Sequence, residues 1–303
     1  MPVDPQFRPM LEQMAQMPPL SQIPLEVLRG GMAVRPGEPT PVAQVIDRTI
    51  PGPDGDIRIR IYRPHATEGL PLLVFMHGGG FILGDLDSHD EAARVLTMLT
   101  GCVTVAVDYR LAPEYPFPAA PADCYTALTW AAGHAGEFGA DGARIAVIGD
   151  SAGGNLAAVM ALKCRDEGGP ALRGQVLIYP AADLEDANNL QPAPDGQFYV
   201  LNREDGAYFN SLYLVDFAHA RHPHASPMFA EDLKGLPPAL VITAEFDPLC
   251  PQGEAFARKL QEAGVETRLH RYAGAIHGFA TFPTPMGRQC LQEAADWLKE
   301  RLL

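Results

Sequence analysis

Apolar residues gather in five short runs along the chain, at 71–76 (PLLVFM), 103–108 (VTVAVD), 144–149 (RIAVIG), 175–180 (QVLIYP) and 238–243 (PALVIT), each set off by Gly, Pro or Asp. Runs this short, apolar at consecutive rather than alternate positions, belong to strands buried on both faces, as parallel strands are. Between them lie stretches of helical length, at about 88–100, 119–136, 151–167 and 252–263, so the rhythm predicts a mostly parallel sheet with helices on both faces. Residues 56–64 (DIRIRIYRP) follow another rule. There Ile alternates strictly with Arg, the period of a half-exposed antiparallel strand near the sheet edge.

Two regions stand outside this alternation: the Pro- and Met-rich residues 1–43, and residues 183–235 between the fourth and fifth runs. Both are candidates for a lid on a single domain spanning 1–303. The second region carries Asn202-Arg-Glu-Asp followed by AYFNSLYLVDF, a helix-capping start and then an aromatic amphipathic stretch suited to roofing a pocket. Phe81, Phe198, Tyr199, Tyr208, Phe209 and Leu212 are the candidates for lining that pocket. The chain has no internal repeats and no long charge blocks.

Charge narrows the choice of partners. With 37 acidic against 23 basic side chains, a net −14, the protein repels phosphate backbones and anionic membrane surfaces, and nucleic acid is not an expected partner. The first twenty residues lack a basic region followed by an apolar run, and no later stretch reaches membrane-spanning length, so the expected location is the cytoplasm. Cys102, Cys124, Cys164, Cys250 and Cys290 are odd in number and form no CxxC pair, which predicts reduced thiols acting as small hydrophobes. His219, His222 and His224, with Asp216 nearby, make a His-rich tract. Pro223 breaks its helical spacing and no second cluster accompanies it, so a solvated connection is expected there and no metal site.

The chemistry lies elsewhere. Gly149-Asp150-Ser151-Ala152-Gly153 directly follows a buried strand and opens a helix, the context in which Gly-x-Ser-x-Gly holds a serine hydroxyl exposed on a strained turn. His77-Gly78-Gly79-Gly80-Phe81 ends the first apolar run, where glycines expose backbone N–H groups. Acyl transfer puts negative charge on a former carbonyl oxygen, and such N–H groups stabilise it. Gly78, Gly79 and Gly80, with the N–H of Ala152, are the candidate donors, Gly79 and Gly80 foremost. A phosphate cradle is the competing use of such a loop, but no Gly-Lys-Ser/Thr follows.

A serine hydroxyl needs a histidine base, itself oriented by a carboxylate. Asp247 follows the last apolar run, and His277 follows a strand-like TRLHRY at 267–272. The order Ser, Asp, His along successive strand ends is that of the α/β-hydrolase fold. Glu245 is a rival acid on the same strand, but an acid just past the strand end reaches a histidine more readily. Asp150 adjoins the nucleophile on a tight turn, cannot align through an imidazole, and is expected to anchor a loop.

These residues resemble the hormone-sensitive-lipase-like family of microbial carboxylesterases. HGGGF at 77–81, YRLAPEYPFPA at 109–119, GDSAGGN at 149–155, ASPMFA at 225–230, LPPALVITAEFDPL at 236–249 and IHGF at 276–279 look like the family's signatures in the family's order. The resemblance implies an α/β-hydrolase fold with a helical cap, no cofactor, a possible homodimer, and hydrolysis of small-molecule esters with short to medium acyl chains. It implies the triad Ser151, Asp247 and His277, and a loop-orienting role for His77. One departure is that Asp247-Pro-Leu runs on as Cys-Pro-Gln-Gly-Glu254, where many relatives carry a basic and two acidic residues. Amide or peptide hydrolysis on the same triad, and a non-catalytic receptor of this fold, are the alternatives.

Overall fold

The computed structural model describes residues 2–32 and 37–303; residues 1 and 33–36 of the expected N-terminal cap segment lie outside the described residues. Its strands are β1 (Gln44–Gly52), β2 (Gly55–Arg63), β3 (Leu70–Met76), β4 (Val103–Asp108), β5 (Ala140–Asp150), β6 (Leu172–Ile178), β7 (Ala239–Phe246) and β8 (Thr267–Ile276). They form one sheet in the order β1-β2-β4-β3-β5-β6-β7-β8. The five apolar runs supply the contiguous parallel block β4-β3-β5-β6-β7, and β8 extends it in parallel. At the other end β2 pairs antiparallel with both β4 and β1. The Ile-Arg alternation is therefore one strand in from the edge, and the edge itself is β1, which sequence patterning leaves unassigned.

Alternate side chains of each central strand enter opposite cores. On one face Leu72, Val74 and Met76 of β3 join Val103, Val105 and Val107 of β4, beneath α4 (Ala119–His134), α5 (Ala152–Asp166) and α7 (Cys250–Glu262). On the other, Leu73, Phe75, Ile148 and Val176 meet α3 (Asp90–Thr100) and α8 (Pro285–Leu302), through side chains such as Leu96, Trp297 and Leu298. Removing each such aliphatic side chain from water contributes about 1.5–3 kcal/mol, and this two-sided burial makes the strands read as unbroken apolar runs.

The two segments outside the alternation contribute α1 (Arg8–Met14), α2 (Leu25–Met32) and α6 (Arg203–Tyr213). A reciprocal capping box starts α6: the Asn202 side chain accepts from Glu204 and Asp205 N–H, and the Asp205 carboxylate accepts the Asn202 N–H at 3.0 Å. Arg29 fastens α2 to the body. Its guanidinium donates to the carbonyls of Ile82 and Ala112 at 2.9 Å each and pairs in bidentate fashion with Glu114 at 2.8 Å. Both segments thus meet the body on the side where the parallel strands end.

Candidate active site

Four C-terminal strand ends converge there: β3 leads into His77–Gly80, β5 into Ser151, β7 into Asp247 and β8 into His277. This is the edge at which open α/β sheets present their sites. Ser151 sits between β5 and α5 with φ 55° and ψ −118°, a backbone conformation costly for a residue with a side chain. The flanking glycines answer a different need. A Cβ on Gly153 would lie 2.0 Å from the Met76 carbonyl oxygen, and one on Gly149 would lie 2.1 Å from that of Gly153. They permit close approach of β3, β5 and α5, while the strain rests on Ser151 itself.

His277 Nε2 lies 2.9 Å from Ser151 Oγ, and His277 Nδ1 lies 2.7 Å from Asp247 Oδ2. A carboxylate only accepts, so Nδ1 carries the proton and Nε2 faces the serine hydroxyl as an acceptor. The other carboxylate oxygen, Asp247 Oδ1, accepts the Leu249 N–H at 2.8 Å. Glu245 does not compete, because its carboxylate accepts the Gly274 N–H at 2.7 Å. Glu254, one turn into α7, braces the acid loop: it pairs with Arg271 and takes contacts from Cys250 Sγ at 3.5 Å and Thr243 Oγ1 at 3.4 Å. Tyr179, which sequence patterning places inside a strand, adopts φ 36° and packs its buried ring 4.9 Å from that of His277.

Gly79 and Gly80 take left-handed φ values of 123° and 62°. No hydrogen bond from their N–H groups, or from that of Ala152 at the start of α5, occurs among the described residues. Gly78 must be set apart from the other candidate donors. Its N–H already donates to Asp150 Oδ1 at 3.0 Å, so it holds the loop and is not available to a substrate oxygen. His77 is buried beneath, stacked on Tyr109 at 4.2 Å, with Nδ1 donating to the Gly78 carbonyl at 2.8 Å and its own carbonyl accepting from Tyr109 Oη at 2.8 Å. Burial acts to raise the Asp150 carboxyl, but His89, His77 and the Gly78 N–H together hold it below its ordinary value.

Burial first, and then the neighbouring His89 ring, push the His77 imidazolium down to about 4. Between that value and the ordinary one near 6.5, the unfolded chain binds a proton that the folded chain refuses. Stability contributed by His77 is therefore present above about pH 6.5 and lost as pH falls through 6.5 to 4, by about 3 kcal/mol. His77→Asn takes up no proton in that range. Urea midpoints measured from pH 7 to pH 4 should fall more steeply for the native protein than for this variant, and parallel curves would refute the assignment.

Ser151 and His277 open into a cavity of about 1240 Å³. Phe81 and Phe209 line it, the Phe209 ring lying so close to Gly80 that a Cβ there would meet it at 2.9 Å. Phe81 is itself buried and stacked on Tyr213 at 3.9 Å. Phe198, Tyr199, Tyr208 and Leu212 are not among the lining residues. The inward face of α6 carries Gly206, Phe209, Asn210 and Tyr213, so Tyr208 and Leu212 fall one position off it, and Tyr199 bonds Asp195 and packs edge-on against Phe246. In their place the N-terminal segment supplies Met10, Met14, Met17, Leu20, Ile23 and Met32.

Away from this cavity, His219 and His222 pack around Phe117, with ring centroids 5.5 and 5.2 Å away. No cluster of His, Cys, Asp and Glu suited to a metal occurs among the described residues.

A family model described as the alpha/beta hydrolase fold matches residues 73–281. The carboxylic ester hydrolase LipN of Mycobacterium tuberculosis is 46% identical over 242 residues, covering 78% of this chain and 64% of LipN. An arylesterase of Saccharolobus solfataricus is 41% identical over 244 residues, 80% of this chain and 79% of its own. Among solved structures, a hyperthermophilic esterase of Pyrobaculum calidifontis superimposes with a TM-score of 0.90 at 42% identity, covering 99% of each chain.

Proposed function

The chain belongs to the α/β-hydrolase family, in its hormone-sensitive-lipase-like branch, and is a carboxylic ester hydrolase; from that premise we propose that Ser151, His277 and Asp247 perform the reaction on esters of short to medium acyl chains. The observation that carries the assignment is the continuous hydrogen-bonded line from Asp247 through His277 to Ser151 on the floor of the large cavity. In this reading His277 takes the Ser151 proton as Oγ attacks the ester carbonyl, and Asp247 fixes the imidazole tautomer and stabilises the imidazolium. The N–H groups of Gly79, Gly80 and Ala152 receive the developing oxyanion. His277 then protonates the departing alcohol and activates the water that cleaves the acyl-enzyme.

The segments that supply α1, α2 and α6 act as the cap in this proposal, since both contribute walls to the cavity. The resemblance's homodimer is part of the same reading, with β8, the last strand in the sheet order, as the edge available for it. No helix among the described residues is long and apolar enough to cross a membrane. Five buried, unbridged cysteines support a reducing compartment, and hence the cytoplasm.

Turnover of p-nitrophenyl esters from acetate to palmitate, beside the matching anilides, tests the substrate class. Each methylene contributes about 0.8 kcal/mol only while the cavity buries it. Rates should therefore rise from acetate towards butyrate and octanoate and fall at palmitate, with anilides far slower throughout. A palmitate optimum, or anilides cleaved as fast as esters, would overturn the assignment.

A further inference from the structure

Behind the oxyanion loop lies a second histidine that the mechanism leaves unused. His89 precedes α3, in a stretch (DLDSHDEA) that no sequence motif singled out, and it is buried at 4% exposure. Its Nδ1 lies 2.9 Å from Ser88 Oγ. Ser88 is itself fixed: its hydroxyl accepts the Asp85 N–H at 2.8 Å and its N–H donates to Asp85 Oδ1 at 2.7 Å. With the ring oriented from that side, Nε2 faces Asp150 Oδ1 at 3.5 Å, longer than a short hydrogen bond. The same Oδ1 accepts the Gly78 N–H, and a Cβ on Gly78 would lie 2.5 Å from Asp150 Oδ2, so carboxylate and loop have no room to drift independently. Asp150 also directly precedes Ser151 in the chain.

We propose that His89 is a positioning residue for the oxyanion hole: it holds Asp150, which holds Gly78 and so sets Gly79 and Gly80 in register with Ser151. A buried carboxylate that has lost one of its few partners turns towards any donor it can find. Here that turn displaces the loop and the nucleophile together. The inference rests on the reading that Gly79 and Gly80 supply the oxyanion donors. Because His89 also borders the cavity, direct contact with substrate is the competing role, and the two act on different kinetic constants. A positioning defect weakens binding of the transition state alone and lowers kcat, whereas a lost substrate contact raises KM.

The test is steady-state kinetics of the full chain on p-nitrophenyl butyrate, with Ser151 titrated by a fluorophosphonate. His89→Leu should lower kcat by about 10- to 100-fold, part of what a whole oxyanion donor supplies, with KM within about threefold. His89→Gln, which keeps a donor facing Asp150, should recover most of the loss. Asp150→Asn should lower kcat comparably, and adding His89→Leu to it should cost little more, because residues acting through one another are not additive. An unchanged kcat, a loss carried by KM, or fully multiplicative effects would overturn the proposal. If His89→Leu does not fold, Ser88→Ala decides: a lower kcat at steady KM supports the relay, and an unchanged kcat rejects it. Native protein that hydrolyses esters while Ser151 resists labelling would instead break the reading beneath; labelled native protein with an indifferent His89→Leu breaks the relay alone.

Discussion

Ser151→Ala is expected to lower kcat on p-nitrophenyl esters by about 10⁶-fold while leaving a folded protein. The substitution removes only Oγ, the one atom in the site that can form an acyl-enzyme. Cβ stays, so the backbone at φ 55° is as strained as before, and the melting temperature should move little. The remaining oxyanion donors and cavity should sustain a residual rate about 10³- to 10⁴-fold above water. Turnover within tenfold of the native rate, in protein free of native contaminant, would remove Ser151 from the reaction.

Asp247→Asn should cost about 10⁴-fold in kcat, for a reason written into its neighbours. The Leu249 N–H donates to Oδ1 of this side chain, so in the variant the amide oxygen stays there and the NH2 group turns towards His277. That NH2 donates to Nδ1 and places the imidazole proton on Nε2, facing the serine hydroxyl it should deprotonate. The base is then present, correctly packed and in the wrong tautomer. Fluorophosphonate labelling of Ser151 should slow in parallel with ester turnover, and a variant within tenfold of native activity would show that another group orients His277.

The parts of the molecule legible in the sequence are those where local chemistry and tertiary demand agree. The strands β3 to β7 are buried on both faces and so read as apolar runs, and Ser151, Asp247 and His277 each lie just past a strand end. The edge strand β1 offers little signal because only Ile50 in it is fully buried, which leaves no clear alternation. On α6 the sequence does not separate Phe209 from Tyr208, since the two are equally aromatic and only the approach to Gly80 decides which points inward. Gly78 reads as equivalent to Gly79 and Gly80 because sequence does not say which acceptor takes an N–H. His89 was invisible for a related reason: its partner Asp150 is remote along the chain, and the pairing exists only once β5 and the segment before α3 are brought together.

The methionines of the N-terminal segment bear on how finely the enzyme discriminates among substrates. Unbranched thioether side chains have several rotamers of similar energy and adjust to what lies beside them. A wall containing Met10, Met14, Met17 and Met32 is compliant, unlike one built from branched residues locked in single conformations. Selection among homologous acyl groups is then expected to be graded, each increment of chain length met by a small repacking instead of a collision, with sharp rejection left to the rigid side of the cavity, where the Phe209 ring leaves no room for a Cβ on Gly80.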